Sequence, residues 1–372
     1  MKIGILTIQK PPENYGASLQ CYALWRYLSS LGHECEVIDL YRPWHPEYKK
    51  GKKDPKGKFS LRRILSFLFL RKNKKPLMLH NKRYEAFEAF NNEVKYSAPY
   101  RSLDEIYDHP PIYDIYISGS DQVWNPCMSI VNEPYFLTFA PKESRRIAYA
   151  SSFAVDSLDK RTEEQYAEWL TRYSCISVRE QSGVSIIKKM GRGLEARQVL
   201  DPAFLLKPGE WETVSVAPHV SDPYIFVYTL HPRAEINESI RRLARKNGLE
   251  IRMVISDTSA SVPSDFIALT DIGPREWLGY VRNASLVITD SFHCTVFSIL
   301  FGRSFKTICT NVKVASRLSS LLELFGLTDN LIDVNNMDEE RLRISEIDYQ
   351  MVDSVLERER EASYEYLRNA LN

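Results

Sequence analysis

Residues 284 to 313 limit what this chain can fold into more than any other stretch. In Ala284-Ser285-Leu286-Val287-Ile288-Thr289-Asp290-Ser291-Phe292-His293-Cys294, the run Leu286 to Thr289 is short, apolar and rich in β-branched residues, as a buried strand is. Asp290 and Ser291 offer N-cap side chains to a helix from about Phe292 to Phe301, and Gly302 stops it. A second apolar run, Phe305 to Cys309, follows directly. Strand, helix and strand in so short a span form a βαβ unit, and its two strands must lie parallel. Parallel sheets bind ligands at the carboxyl ends of their strands, in the loops that enter the helices. Ser291 and His293 fall there, in the first turn, where free N–H groups and the helix dipole favour an anion. Lys313 follows the next strand and is expected at the same rim. A polar residue in a first turn is expected outside the core.

At 372 residues the chain exceeds what one core usually supports, which makes two domains the expectation. It is 44% hydrophobic and 26% charged, ordinary for a globular protein, and its net charge of +1 argues against nucleic acid as a partner. The six cysteines are scattered with no C-x-x-C pair, and read as reduced thiols. The seven histidines are dispersed, with no metal-ligand spacing, so no metal is expected. Met1 to Ile8 reads as a first strand rather than a signal sequence, and no run has the length of a membrane span. These features point to the cytoplasm.

Along the chain, Lys2 to Ile8, a loop with Asn14 and Gly16, a helix from about Ala17 to Leu31 and a strand Glu34 to Leu40 open an α/β domain. Gly16 either brings the backbone close to a ligand or merely lets the chain turn. Tyr113 to Ile117 delivers Ser118-Gly119-Ser120-Asp121-Gln122, whose polar side chains can hydrogen-bond sugar or phosphate. Trp124 beyond them reads as core. Arg179 and Glu180 end the strand Cys175 to Val178 and open a helix to Met190. An arginine there offers a planar fork for carboxylate or phosphate, or it is spent in a structural pair with Glu180. The first domain spans 1–205, with an insertion at about 43–80. Residues 206–223, loose and marked by Pro208, Pro218 and Pro223, read as a linker. A second α/β domain spans 224–345, and 346–372 form a charged helix expected to pack back on the first domain.

The insertion is unusual. Between Lys49 and Lys75 there are 12 Lys/Arg against one acid, Asp54, a local balance of +11. They flank the apolar run Leu61 to Leu70. Such a segment suits peripheral contact with an anionic membrane at its inner face, or it is a solvated insertion packing on its own domain.

The string Thr289 to Ile299, with Ser118 to Pro126 upstream and Ser177-Val178-Arg179-Glu180 between them, resembles the polysaccharide pyruvyl transferases over nearly the whole chain. The resemblance implies two Rossmann-like domains in a GT-B arrangement with a cleft between them. It implies transfer of the enolpyruvyl unit of phosphoenolpyruvate to a sugar hydroxyl pair, forming a ketal in cell-surface polysaccharide synthesis. The acceptor would be a sugar or a lipid-linked oligosaccharide, and no cofactor is needed beyond the phosphoenolpyruvate co-substrate. Arg179, Ser291, His293 and Lys313 would bind that donor. Asn14 and Gly16 match the family's element at the cleft, and with Ser120, Asp121 and Gln122 they are the acceptor candidates. Two positions depart from the pattern: Ala17 replaces an aspartate, and Ser291 an arginine, found in many relatives.

Such a ketal transfer needs proton traffic, and histidine handles it near neutrality. His293 is therefore the acid/base candidate, beside Arg179. The alternative on the same fold is a glycosyltransferase with a nucleotide-sugar donor, for which Leu269 to Gly273 is the one candidate ribose-binding stretch. A non-catalytic carbohydrate-binding protein would have no use for Arg179, His293 and Lys313 together.

Overall fold

The computed structural model describes residues 1–10, 13–43, 45–52, 77–128, 130–231, 234–255, 262–309, 312–336 and 339–372. The proposed membrane segment, 49–75, therefore lies almost wholly outside the described residues, with only 49–52 inside them.

The first sheet contains β1 (Lys2–Leu6), β2 (Glu34–Val37), β3 (Ile115–Ser118), β4 (Arg145–Ser151), β5 (Cys175–Val178) and β6 (Arg197–Gln198), in the order β2-β1-β3-β4-β5-β6. Every pairing in it is parallel. The second contains β7 (Tyr224–Tyr228), β8 (Glu250–Val254), β9 (Ile267–Leu269), β10 (Leu286–Thr289), β11 (Phe305–Cys309) and β12 (Leu331–Asp333), in the order β12-β11-β10-β7-β8-β9. It too is parallel throughout. Counted from β7, that is the doubly wound nucleotide-fold order, with its reversal between β7 and β10. Central strands are buried on both faces, which is why β3, β7 and β10 are nearly unbroken apolar runs.

Around the first sheet pack α1 (Tyr15–Ser30), α2 (Leu77–Asn91), α3 (Leu103–Asp108), α4 (Lys160–Leu170) and α5 (Gln181–Met190). Then come α6 (Pro208–Val214), α7 (Ala234–Asn247), α8 (Pro274–Asn283), α9 (Phe292–Leu300), α10 (Val312–Leu324), α11 (Glu339–Leu342) and α12 (Tyr349–Leu371). The stretch read as a loose linker thus contains a helix, α6. Pro208 sits at its start, where a missing N–H costs nothing. Trp211 fixes it: the ring is fully buried and its Nε1 donates to the Ala203 carbonyl at 2.9 Å.

One apolar cluster runs through both sheets' surroundings, and α1 is the element that carries it across. Tyr15, in its first turn, stacks on Trp277 of α8 at 5.3 Å and donates to the Ile272 carbonyl at 2.9 Å. The last helix begins and ends on different sheets. Tyr349 donates to the Arg303 carbonyl, whereas Tyr366 donates to Ala148 in β4 at 2.7 Å and Ser363 accepts from Leu200 N–H at 3.1 Å. Among the described residues no helix is long and apolar enough to cross a membrane.

Candidate active site

Just beyond four consecutive strands of the first sheet, β3 to β6, stand polar residues whose side chains converge. The hub is Asp201, just beyond β6. Its side chain is fully enclosed, and Oδ1 accepts the Ala203 N–H at 3.0 Å, capping a turn of 3-10 helix. Its Oδ2 accepts from Ser120 Oγ at 3.1 Å and from Arg179 Nη1 at 2.9 Å. Arg179 also donates Nε to Glu180 Oε1 at 3.0 Å, and Ser152 donates to the same Glu180 oxygen at 2.9 Å. All three charged side chains are 3% exposed or less, so their mutual pairing is what makes their burial tolerable.

The second domain adds His293 at the first turn of α9, above the carboxyl end of β10. Its Nε2 lies 3.5 Å from Asp201 Oδ2, an ion-pair distance outside hydrogen-bonding geometry. Phe292 beside it spreads under the Arg179 guanidinium, 4.0 Å from carbon to ring centroid. His293 is buried, contrary to the expectation for a first-turn polar residue, because the first domain closes over it. Gly16 makes that closure possible: a Cβ built there would fall 2.1 Å from His293 Nδ1. Gly16 lies within α1, not in a loop, and its φ is not positive, so close approach rather than turning is its reason.

The electrostatics follow. Burial alone would raise the Asp201 carboxyl, but His293, Arg179 and the Ala203 N–H overcome it and hold the group well below the usual carboxylate range. Burial likewise disfavours charge on Arg179, and Glu180 and Asp201 more than restore it. Two donors in this cluster remain buried without a partner, Arg179 Nη2 and His293 Nε2. A protein that leaves such donors unpaired gives up hydrogen-bond energy that a ligand can return.

The other expected site residues divide. Ser120 is in the cluster, but its hydroxyl is committed to Asp201. Asp121 is close enough to act on Arg179 electrostatically, and its Oδ1 accepts the Gln122 N–H at 2.8 Å. It stands in the left-handed region at φ 70, as does Ala150 at φ 53 beside the β4 irregularity, so backbone strain gathers here. Gln122 instead accepts from Asn125 at 2.8 Å, and Asn14 caps α1 by accepting the Ala17 N–H at 3.1 Å. Ser291 caps α9 toward the Cys294 N–H. Lys313 lies in the first turn of α10; its side chain is outside the described residues. Gly119 packs closely on Thr7, just beyond β1. Trp124 is core, stacked on Phe136 at 5.2 Å. Among the described residues no cluster of His, Cys, Asp and Glu is gathered to hold a metal ion. Burial pushes the Cys294 thiol far up, leaving it unreactive beside the histidine.

Sequence reasoning missed Asp201 as a site residue and left Glu180 as a structural partner. The signal for Asp201 was its place: an Asp-Pro directly after an apolar strand end, at the rim that carries Ser120 and Arg179.

The model of the family described as polysaccharide pyruvyl transferase matches residues 14–305. The chain belongs to that family. The match takes in Asn14, Gly16, the Ser118 to Gln122 loop, Arg179, Asp201 and His293. No curated protein sequence matches the chain. Among solved structures, a protein assigned as a UDP-N-acetylglucosamine 2-epimerase of Listeria monocytogenes superposes with a TM-score of 0.53 at 10% identity, covering 98% of this chain and 90% of the other. UGT89C1 of Arabidopsis thaliana gives a TM-score of 0.53 at 11% identity, covering 98% and 97%. MnaA of S. aureus, solved with UDP, gives 0.51 at 11%, covering 97% and 90%. At such identities the likeness establishes the fold, the GT-B arrangement of two parallel sheets. The family assignment establishes an enzyme of polysaccharide pyruvylation.

Proposed function

We propose that this pyruvyl transferase takes phosphoenolpyruvate as donor and builds a pyruvate ketal on two hydroxyls of a sugar. The observation that carries the reading is the pair of buried, unpartnered donors, Arg179 Nη2 and His293 Nε2, brought together at Asp201 from opposite domains. An anion in the cleft would give Arg179 Nη2 its missing partner and draw on the charge of His293, whose Nε2 has the Asp201 carboxylate 3.5 Å away.

The reaction balances as follows. One acceptor hydroxyl adds to C2 of the donor while the methylene carbon gains a proton and becomes methyl. The C2–O bond to phosphate then breaks, phosphate leaving with the electron pair, and the second hydroxyl closes the ketal. Of the two hydroxyl protons lost, one ends on the methyl carbon and one on phosphate. His293 moves the proton at the attacking hydroxyl, and Asp201 stabilises the imidazolium that forms. The N-terminus of α9, with Ser291 as its cap, and Lys313 on α10 serve the same anion.

The acceptor sugar docks on the first domain. Beside the loop between β1 and α1 lies a cavity of about 440 Å³ whose lining includes Tyr41, His45, Tyr84, Phe87 and Asn91, aromatic and amide groups suited to a saccharide. Tyr41 and Asn91 flank the basic segment in sequence, which supports reading the acceptor as lipid-linked and the segment as its peripheral membrane contact. The test is incubation of purified protein with phosphoenolpyruvate and lipid-linked galactosides or mannosides. Phosphate release that needs the acceptor, with the ketal found on the product, is the expected result. Turnover with a nucleotide-sugar donor, and none with phosphoenolpyruvate, overturns the reading in favour of glycosyl transfer.

A further inference from the structure

Arg179 looks like the anion receptor, but most of its capacity is already used. Two of its nitrogens donate to Glu180 and Asp201, and its charge faces three carboxylates, those two and Asp121. Arg179 alone leaves this corner of the cleft net negative, which repels a phosphate ester. Lys313 is one further cation on α10, and Arg317 is a second. On α10, Arg317 precedes the buried stripe Leu318, Leu321 and Leu322. Its Nε is buried without a hydrogen-bond partner, and it forms no ion pair among the described residues. It stands in the second turn of the helix that follows β11, the strand paired with β10, so it shares the rim that carries His293, and Arg179, Glu180 and Asp121 are among the charges near it. Burial and then Arg179 both work against its protonation, a cost that a bound anion would relieve.

We propose that Arg317 binds the phosphoryl group of the donor, while Arg179 is held rigid by Glu180 and Asp201 and offers only Nη2. The proposal rests on the phosphoenolpyruvate reading above and adds to it the residue that α10 contributes. A planar fork with an unpaired Nε matches a phosphate by two parallel hydrogen bonds, which a lysine cannot supply.

The test is calorimetry with two probes, phosphoenolpyruvate and inorganic phosphate, on the full-length wild type, Arg317→Gln and Arg317→Lys, with thermal melts alongside. Both probes should bind Arg317→Gln at least tenfold more weakly, about 1.4 kcal/mol. Arg317→Lys should fall between, with the melting temperature close to wild type. Unchanged affinity of a folded Arg317→Gln for phosphoenolpyruvate overturns the inference and leaves the donor reading standing. Weaker phosphoenolpyruvate binding with unchanged phosphate binding also overturns it, since the arginine would then read the carboxylate. A wild type that binds neither probe overturns the donor reading, and the inference falls with it. Should Arg317→Gln fail to fold, Arg317→Lys carries the comparison: affinity for both probes equal to wild type overturns the inference.

Discussion

Replacing Gly16 by alanine tests the joint between the two domains with the smallest possible probe. The added methyl would sit 2.1 Å from His293 Nδ1, 2.5 Å from Cγ and 2.9 Å from Cβ, whereas real Cβ atoms essentially never come within 3.0 Å of a neighbour. Something must yield by close to 1 Å. The α1 side resists, because Tyr15 next to the glycine is clamped between Ile272 and Trp277. The His293 side is softer, since its cross-domain contact to Asp201 is a 3.5 Å ion pair rather than a hydrogen bond. The ring should therefore leave Asp201 rather than α1 leave α8. Overpacking of this kind costs about 1–3 kcal/mol, and a misplacement of about 1 Å at a reacting group costs on the order of 10²-fold in rate. The assay is steady-state phosphate release from phosphoenolpyruvate with acceptor, read as kcat/KM, beside a thermal melt. Gly209→Ala is the control, because a Cβ there meets nothing within 4 Å and the glycine has no positive φ. Gly16→Ala with activity within about twofold of wild type and an unshifted melt would refute the close-approach argument.

Other perturbations bear on the same cluster. His293→Gln should lower the rate by roughly 10²–10⁴ with circular dichroism unchanged, and a near-normal rate would remove the imidazole from the reaction. Arg179→Ala strands Asp201 and Glu180 without their partner, so urea melts should show a loss of about 3–5 kcal/mol together with inactivity. For pH, the folded Asp201 carboxyl titrates below its ordinary value of 3.8, so its stabilisation is full above that value and is lost as pH falls toward the folded one. Melting temperatures measured down the acid limb should therefore fall less steeply in Asp201→Asn than in wild type; parallel curves would count against the ion pairing. The basic segment should carry the protein down with anionic vesicles at low salt and release it as salt rises, while changing Lys49, Lys50, Lys52, Lys53, Lys72, Lys74 and Lys75 to Gln should leave it in solution. Equal sedimentation of the two proteins would end the membrane proposal.

The fold class was legible because parallel sheets write themselves as bounded β-branched runs. Cys175–Val178, Leu286–Thr289 and Phe305–Cys309 are strands with the bounds their composition suggests. The errors have physical causes. Pro208 reads as a loop residue although a first helical turn accommodates it, and only the burial of Trp211 reveals α6. The apolar pair Val199 and Leu200 looks like the last strand of the first sheet, whereas the ladder uses Arg197–Gln198 and leaves Asp201 free to turn inward as a cap. Strand ends pointed to Ser120, Arg179 and His293, since a parallel sheet puts them all on one rim. Partner choice was not legible, because Asp201 meets His293 only through the packing of one domain on the other. Gly16 shows the same gap: the glycine was visible, but its reason lies in a ring on the other domain.

That division between domains has a mechanical consequence. Every contact of Asp201 with its own domain is short, 2.9 Å to Arg179, 3.1 Å to Ser120 and 3.0 Å to the Ala203 N–H, while the contact across the cleft is 3.5 Å. The first domain is thus a preformed, rigid half-site, and the loosest polar contact in the cluster is the one that would have to form for proton transfer. Phe292 reinforces the asymmetry. It comes from the second domain yet packs on the Arg179 guanidinium, so the cation is fixed by two carboxylates on one side and a ring on the other. An anion entering the cleft meets a cation that does not need to reorganise and a histidine that does. On the proposed reading, donor binding and assembly of the acid/base pair would be one event, confining proton transfer to the occupied site.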